Sequence, residues 1–271
     1  MTAHTSYQQY FGLTAELFAA DLPPEKLFQG EGFKEVAARF AHVLEHRGIF
    51  LLTGAPGAGK TSVLRYLLST LSPKAHYPLY LPLSTVSTPE FYRQLNRALG
   101  GEEHYFKADT YRSIQAQVLS FATTKNLLPV IVLDEAHLLQ EQNFRELQLI
   151  LNFRMDTLMP LVLVLAGQPA LAKRLLGYDL ESFHQRIALK SLLVPLGDDE
   201  VLAFIRHHLR LCGTSDKILT PEALRMVVQL SHGLPRVIGQ LIRKALMSCA
   251  QRSEKTVGEE DVLAASKEVF Q

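Results

Sequence analysis

The sequence contains no long apolar run, and it begins without a recognisable secretory signal. In its 271 residues no apolar run approaches the ~20 residues of a membrane-spanning helix. The longest run, Leu161–Ala166, is short and follows Pro160. The first residues, Met1–His4, are not a basic segment followed by an apolar one. We therefore expect a cytoplasmic protein with no membrane contact.

Cysteine is also scarce, and neither sign of charge is in excess. Cys212 and Cys249 lie far apart in the sequence, which suits a reducing compartment and argues against a zinc site, so we expect both to fill core space. The net charge is only +1, so the chain does not coat nucleic acid through overall basicity. A DNA contact would need a local patch, multiplied by oligomerisation.

One segment fits the phosphate-binding pattern G-x-x-x-x-G-K-[ST]. An apolar run typical of a strand precedes it and a helical pattern follows, which is the context that the motif requires. The glycines let backbone N–H groups turn toward phosphates, and the helix N-terminus adds partial positive charge. Lys60 would reach the β- and γ-phosphates, and the Thr61 hydroxyl would bind Mg²⁺. The predicted nucleotide-binding residues are Gly54, Ala55, Pro56, Gly57, Ala58, Gly59, Lys60, Thr61 and Ser62.

Strand and helix patterns alternate over most of the chain, which predicts a parallel α/β sheet. The five predicted strands cover residues 48–52, 77–83, 129–135, 161–166 and 187–194. Prolines in the second strand favour a sheet edge. From residue 197 onward only helical spacing is present, over 198–211, 221–231, 235–251 and 259–269. We predict an α/β domain over 1–195, a small helical domain over 196–271, and an aromatic segment, Tyr7–Phe18, that covers the main core.

Acidic and amide side chains follow two of the predicted strands. Ligands bind at the carboxyl ends of parallel strands, so Asp134 and Glu135 would lie beside the phosphate loop. Asp134 would hold Mg²⁺, and Glu135 would orient and deprotonate the attacking water. Alternatively, one of the two caps the next helix. Gln168 follows the fourth strand and would hold the lytic water or touch the γ-phosphate; the alternative is a turn residue.

Two arginines are candidates for contacting the γ-phosphate. Arg186 precedes the last strand, and phosphoryl transfer gains from an arginine supplied by a neighbouring molecule. Lys173 and Arg174 are competing cations. Arg236 lies in the first turn of a predicted helix, where a cation opposes the helix dipole by roughly 0.3–1 kcal/mol, and a nearby γ-phosphate would reverse that penalty.

Taken together, these motifs resemble the AAA+ ATPases, and more narrowly the ExeA family. The opening of that family, Y-x-x-F-F-G-L, is similar to Tyr7–Leu13, with Tyr10 in place of the first phenylalanine. The segments 165–169, 185–187 and 233–236 are similar to that family as well. The resemblance implies a P-loop AAA+ fold with a helical lid and ATP hydrolysis with Mg²⁺. It makes Gln168 sensor 1, Arg186 an arginine finger acting in trans and Arg236 sensor 2, and it puts Phe28, with Leu27 and Phe33, near the adenine.

The resemblance also suggests partners. Secretion members of the family carry a membrane span and a cell-wall-binding domain, and this sequence ends at Gln271 with neither. We therefore expect a stand-alone member, similar to the MuB, TniB and TnsC regulators of transposition. These form a ring or filament on double-stranded DNA with ATP and recruit a transposase. The alternatives are a cytoplasmic ATPase of secretion or envelope assembly acting on a protein, and a nucleotide-gated module with little turnover.

In such regulators DNA is touched by the loop after strand two and by the start of a following helix. Hydroxyls and helix N-termini suit sequence-independent phosphate contacts. One or two cations per subunit are weak alone but sizeable along a filament. The alternative is an ordinary solvated loop. The implied DNA-contact residues are Ser84, Thr85, Thr88, Lys107, Thr110 and Arg112.

Overall fold

The computed structural model describes residues 7–82 and 87–270 and divides the chain into two compact units. The first, here called the sheet unit, comprises Phe33–Ala55 and Lys60–Leu193. The second, the helical unit, comprises the segment that ends at Gly32, Pro56–Gly59 and Val194–Gln271. The predicted domain boundary at 195/196 stays a prediction.

The sheet unit contains a five-stranded parallel sheet, which confirms the predicted fold class. Its strand order is β2-β3-β4-β1-β5, so the prediction that β2 lies at an edge is also confirmed. The strands are β1 Gly48–Gly54, β2 His76–Pro82, β3 Leu128–Asp134, β4 Val162–Gly167 and β5 Ile187–Leu193.

Helices connect the strands and make up the helical unit. In chain order they are α1 Tyr7–Tyr10, α2 Glu31–His46, α3 Lys60–Ser69, α4 Thr88–Ala98, α5 Lys107–Thr123, α6 Glu141–Ile150, α7 Pro169–Leu175, α8 Glu181–His184, α9 Asp198–Leu211, α10 Pro221–Ser231, α11 Pro235–Gln251 and α12 Glu259–Val269. The last four have the bounds that the spacing predicts. Among the described helices, none is long and apolar enough to cross a membrane.

The central strands are apolar at consecutive positions because helices cover both faces of the sheet. On one face Ile131 and Leu165 join a core that includes Phe91 and Phe144 from the helices. On the other face Phe50 lies against Phe40 of α2, with ring centroids 6.0 Å apart. This packing fixes the strand ends that carry the site.

The helical unit has its own core, and the aromatic N-terminal segment belongs to it. Leu17 is fully buried in that core, and Phe11, Leu13 and Phe18 pack against it. The expectation that this segment covers the main core is therefore wrong, because its apolar side chains bury against α9–α11 instead of the sheet. Cys212 and Cys249 are buried and free, as expected of core cysteines.

Candidate functional site

The phosphate-binding loop joins the end of β1 at Gly54 to the start of α3 at Lys60. Gly57 and Gly59 have φ values of 79° and 99°, a region that side chains other than glycine rarely adopt. A Cβ on Gly54 would lie 2.9 Å from the carbonyl oxygen of Leu193. The loop thus depends on its glycines for both conformation and space.

Lys60 is held inside this loop. Its side chain is almost fully buried, and its Nζ donates hydrogen bonds to the carbonyl oxygens of Gly54 at 2.9 Å and Ala55 at 3.1 Å. A buried ammonium needs such partners to offset its desolvation. An ammonium enclosed by a glycine-rich backbone is the donor set that a triphosphate requires.

Asp134, at the end of β3, lies next to the start of α3. It is buried, and its Oδ2 accepts a hydrogen bond from the Thr61 hydroxyl at 3.2 Å. Its Oδ1 accepts one from the backbone N–H of Glu135 at 2.9 Å. The two predicted metal ligands are thereby brought together, and a hydroxyl beside a carboxylate suits Mg²⁺, which prefers oxygen ligands.

Tyr80, which sequence reasoning missed, also contacts this carboxylate. Its hydroxyl donates to Asp134 Oδ2 at 2.8 Å. Burial, and next the hydrogen bond to Asp134, raise the pKa of Tyr80 above its ordinary value, so the phenol stays a donor. The parallel register of β2 with β3, which pairs Pro82 with Asp134, brings the two together. The feature of the sequence that could have identified Tyr80 is its position near the end of a predicted edge strand.

Glu135 leaves the strand with a left-handed backbone, at φ 53° and ψ 31°. The predicted third strand therefore ends one residue earlier, at Asp134. Such a conformation is uncommon for a residue other than glycine and often marks functional sites. The Glu135 side chain is 47% exposed, and its Oε2 lies 3.2 Å from Nδ1 of His137 without the alignment of a hydrogen bond. The carboxylate is thus accessible to water.

Gln168 follows β4 directly, at the same edge of the sheet as the phosphate loop. In the parallel register Gly167 pairs with Thr53, the residue before Gly54. Gln168 occupies the N-cap position of α7, but its side chain makes no capping hydrogen bond to that helix within the described residues. Gln168 therefore lies at the predicted strand end, and the choice between a site role and a turn residue stays a prediction.

Arg186 lies at the amino ends of the parallel strands, opposite the carboxyl ends that carry the phosphate loop. It precedes β5, whose Ile187 pairs with Ile49 and whose Leu193 pairs with Gly54. At ~3.3 Å per residue, the five steps from Ile49 to Gly54 separate the two edges by roughly 16 Å. The structure therefore does not bring Arg186 to the phosphate loop of its own chain.

In the helical unit Arg236 lies against Gly57. A Cβ on Gly233 would lie 2.1 Å from the carbonyl oxygen of Leu196, so glycine, with φ 71°, is needed in this turn. Pro235 then opens α11, and the Arg236 N–H donates to the carbonyl oxygen of Gly57 at 3.3 Å. A Cβ on Gly57 would lie 2.9 Å from the Cβ of Arg236. Arg236 and Gly57, which belong to the same unit, are in direct contact.

Phe28 lies in an aromatic cluster of the helical unit. It is partly buried, and its ring centroid is 5.7 Å from that of Phe204 and 5.8 Å from that of His207. Leu27 is also partly buried. Phe33 is buried in the sheet unit, where its ring meets Tyr66 edge-on at 5.0 Å. Phe28 and Leu27 are therefore more accessible to an adenine ring than Phe33 is.

The chain is similar in sequence to known proteins. A family model described as an AAA domain matches residues 42–175. Over this region the chain is similar to AAA domains. It is 31% identical, over 97% of its length, to General secretion pathway protein A of Aeromonas hydrophila, but it covers only 48% of that protein.

Solved AAA+ structures share the fold at low sequence identity. Cdc6p from Pyrobaculum aerophilum superposes with a TM-score of 0.71 at 17% identity, covering 93% of this chain and 70% of that one. Drosophila ORC bound to DNA gives 0.70 at 17% identity, covering 98% and 66%. The predicted fold is thereby confirmed.

Two of the residues implied in DNA contact meet on α6 of the AAA+ fold. The Thr88 hydroxyl donates to Oδ1 of Asn143 at 3.0 Å, and Lys107 pairs with Glu146 at 2.6 Å. Because Asn143 and Glu146 are one helical turn apart, the starts of α4 and α5 lie side by side. Ser84 and Thr85 are outside the described residues.

Glu146 neutralises the predicted cation Lys107. Burial raises the pKa of this carboxyl, but hydrogen bonds from Lys107, Tyr92 and Gln142 outweigh burial and lower the pKa below its ordinary value. The buried group is therefore a carboxylate at neutral pH and holds Lys107 at the surface of α5.

The other two implied contacts differ in accessibility. Thr110 is buried, and its hydroxyl donates to the carbonyl oxygen of Phe106 at 3.2 Å, so it does not offer that hydroxyl to a phosphate in this conformation. The Arg112 side chain is 77% exposed and pairs with Asp109 at 3.1 Å. Exposed pairs of this kind are weak and exchange readily with a phosphate.

An exposed aromatic pair lies between α4 and α5, and sequence reasoning missed it. Tyr105 is 96% exposed and Phe106 is 65% exposed, and their rings meet edge-on at 5.1 Å. Two large apolar rings exposed side by side are typical of a surface that contacts a partner. No periodic pattern in the sequence distinguishes these two residues from their neighbours.

Proposed function

We propose that the chain binds ATP at the glycine loop and hydrolyses it there. The loop residues 54–62 hold the phosphates and Lys60 contacts the β- and γ-phosphates. Thr61 and Asp134 would hold Mg²⁺, which neutralises charge that develops on the phosphates. The observation in support is the joint position of Lys60, Thr61 and Asp134 at one end of β1 and β3. Phe28 is the proposed adenine contact.

Three more side chains act on the γ-phosphate and the water in this proposal. Glu135, turned out of the strand and open to solvent, orients and deprotonates the attacking water. Gln168 holds that water or the γ-phosphate from the end of β4. Arg236 contacts the γ-phosphate, which offsets the cost of a cation in the first turn of α11.

Arg186 completes the site of a second copy of the chain. The observation that carries this proposal is the position of Arg186 at the amino edge of the sheet, roughly 16 Å along β1 from its own loop. An arginine supplied by a neighbour stabilises charge in the transition state. The active form is therefore a homo-oligomer, as a ring or a filament.

Complementation between variants tests this step. Lys60→Ala and Arg186→Ala proteins should each be inactive alone, because one lacks the nucleotide site and the other lacks the arginine. Mixed, they should recover part of the ATPase rate, since Lys60→Ala copies still supply Arg186. A mixture as inactive as its components would contradict an arginine acting in trans.

We further propose that the oligomer assembles on double-stranded DNA and regulates transposition by recruiting a transposase. Support comes from the resemblance to the MuB, TniB and TnsC type and from the adjacency of Thr88 and Lys107. A fold neighbour, Drosophila ORC, is described as bound to DNA. Because Lys107 and Arg112 are paired with acids, each copy binds weakly and many copies together bind firmly. A cytoplasmic location remains part of this proposal.

Co-sedimentation with duplex DNA tests the choice of partner. With a non-hydrolysable ATP analogue at low salt, the protein should assemble on DNA, and added salt should disperse it because phosphate contacts release counterions. Absence of DNA binding with either nucleotide at low salt would overturn the DNA proposal but leave the ATPase site intact.

A second candidate is an ATPase of secretion or envelope assembly that acts on a protein. The specific observation in its favour is the 31% identity to General secretion pathway protein A over 97% of this chain. Recovery of a membrane-protein partner in a pull-down, with no dependence on DNA, would support this candidate against the first.

A further inference from the structure

Arg186 has a specific partner within its own chain. Its Nη2 pairs with Oδ2 of Asp156, and the arginine side chain is only 27% exposed. A guanidinium has five N–H donors in a planar fork, so one carboxylate occupies part of it and leaves the rest free. The pair thus fixes the direction of the arginine without using up its hydrogen bonds.

Asp156 lies in a short loop whose conformation is tightly constrained. Phe153 and Leu158 form an isolated antiparallel bridge, and Phe153 is buried. Between them Arg154, Met155 and Asp156 have φ values of 49°, 56° and 63°. Such backbones cost about 1–2 kcal/mol for each residue other than glycine, so surrounding contacts must hold them.

Those contacts come from side chains at the base of the loop. Asn152 Oδ1 accepts the N–H of Asp156 at 3.2 Å, and the hydroxyl and N–H of Thr157 both donate to the carbonyl oxygen of Arg154, at 2.7 Å and 3.3 Å. The backbone of Asp156 is therefore held in place by its own loop, independently of Arg186.

We propose that Asp156 is a positioning residue that holds Arg186 in the orientation in which it reaches the nucleotide of a second copy. A long arginine that is free to rotate would lose side-chain entropy on each engagement, and the pair removes most of that cost. This inference rests on the proposed role of Arg186 in trans. It adds that the arginine is set in advance by its own subunit.

The mixed-variant assay tests this role from one side at a time. Asp156→Asn is placed first in the Lys60→Ala protein, whose copies donate Arg186, and then in the Arg186→Ala protein, whose copies accept it. We expect the recovered ATPase rate to fall about tenfold in the first mixture, by analogy with other misplaced catalytic groups, and to stay unchanged in the second.

Matched controls separate positioning from general damage. Glu141→Gln in the donor breaks another exposed pair, with Arg145, and should leave recovery unchanged. Asp156→Glu in the donor keeps the charge and should restore part of the rate. Sedimentation should show equal assembly of all the mixtures.

The outcomes distinguish the role of Asp156 from that of Arg186. Equal loss from donor and acceptor placement, or full recovery with the Asp156→Asn donor, would overturn the role of Asp156. Failure of the unmodified Lys60→Ala and Arg186→Ala mixture would instead contradict the arginine in trans, which is the proposed function itself.

Discussion

At the scale of single residues, the site is built from groups whose neighbours fix their orientation. Asp134 accepts three hydrogen bonds, from Thr61, Tyr80 and the Glu135 backbone. Lys60 is held by two carbonyl oxygens of its own loop. Such partners set the geometry of a metal or phosphate site nearly as much as the ligands do.

Tyr80→Phe should therefore lower the apparent affinity for Mg²⁺ in the ATPase reaction while leaving the fold intact. The ring is kept, but Asp134 loses the donor that orients its Oδ2. We expect the Mg²⁺ concentration for half-maximal ATPase to rise about tenfold, in the range seen when groups behind a metal ligand are removed. Magnesium titration measures this. Tyr77→Phe, on the same strand, is the control, and an unchanged titration in Tyr80→Phe would remove Tyr80 from the site.

A buried histidine in the helical unit predicts a pH dependence of stability. Burial, and next the charge of His207, lower the pKa of His208 to about 4, against about 6.5 in an unfolded chain. As pH falls from about 6.5 to about 4, His208 therefore binds a proton in the unfolded state but stays neutral in the folded state. Stability from this group is fully present above about 6.5 and is lost through that window.

His208→Leu should flatten this slope. Between pH 7 and pH 5 the wild-type protein should lose roughly 2 kcal/mol more unfolding free energy than the variant. Urea unfolding at both pH values measures the difference. His232→Asn, at an exposed position of the same unit with a left-handed backbone, should keep the wild-type slope. Parallel slopes for wild type and His208→Leu would contradict the assignment.

At the scale of elements, strand direction accounts for much of the site. The glycine loop, Asp134 and Gln168 all follow parallel strands, so the sequence was sufficient to predict that they share one edge. Arg186 precedes a strand, and the same rule puts it at the other edge. The sequence analysis used motif resemblance for Arg186, whereas the topology supplies a physical reason to propose action in trans.

Other features depend on tertiary register and were not predictable. Tyr80 meets Asp134 only because β2 lies next to β3 in a particular register. The N-terminal aromatic segment could cover either core, and no local pattern distinguishes them. From the sequence alone Lys107 is predicted to be a free cation. In the structure it pairs with Glu146, which is 39 residues away in the chain.

The exposed aromatic pair between α4 and α5 gives a prediction for this helix–loop–helix. Replacing Tyr105 and Phe106 together by serine should weaken assembly on DNA about tenfold, since two exposed rings that are covered at an interface contribute through the apolar area they bury. Basal ATPase without DNA should stay unchanged because both rings are exposed. Filter binding with duplex DNA measures the first effect. Unaltered DNA affinity would exclude the pair from the interface.

At the scale of the whole molecule, near-neutral charge and an incomplete site both favour an assembled form. With a net charge of +1, one copy has little long-range attraction for DNA. In the proposed oligomer, repetition of weak contacts would supply the affinity. Nucleotide would then control the number of copies on DNA, because each site in this proposal depends on Arg186 from another copy.

Glu135→Gln should trap this assembly. Without its carboxylate base the hydrolysis rate should fall about 10²–10⁴-fold, while the amide still permits ATP binding. Assemblies with ATP should then persist as long as those formed with a non-hydrolysable analogue, as followed by light scattering after dilution. Glu141→Gln, on α6 away from the strand ends, should disassemble at the wild-type rate. A normal ATPase rate in Glu135→Gln would remove Glu135 from catalysis.

The most direct test is electron microscopy of the oligomer with Mg²⁺, a non-hydrolysable ATP analogue and duplex DNA. We predict that the Arg186 guanidinium of each copy lies about 2.7–2.9 Å from the γ-phosphate bound at the glycine loop of the adjoining copy. An assembly in which Arg186 lies far from every nucleotide would contradict the account.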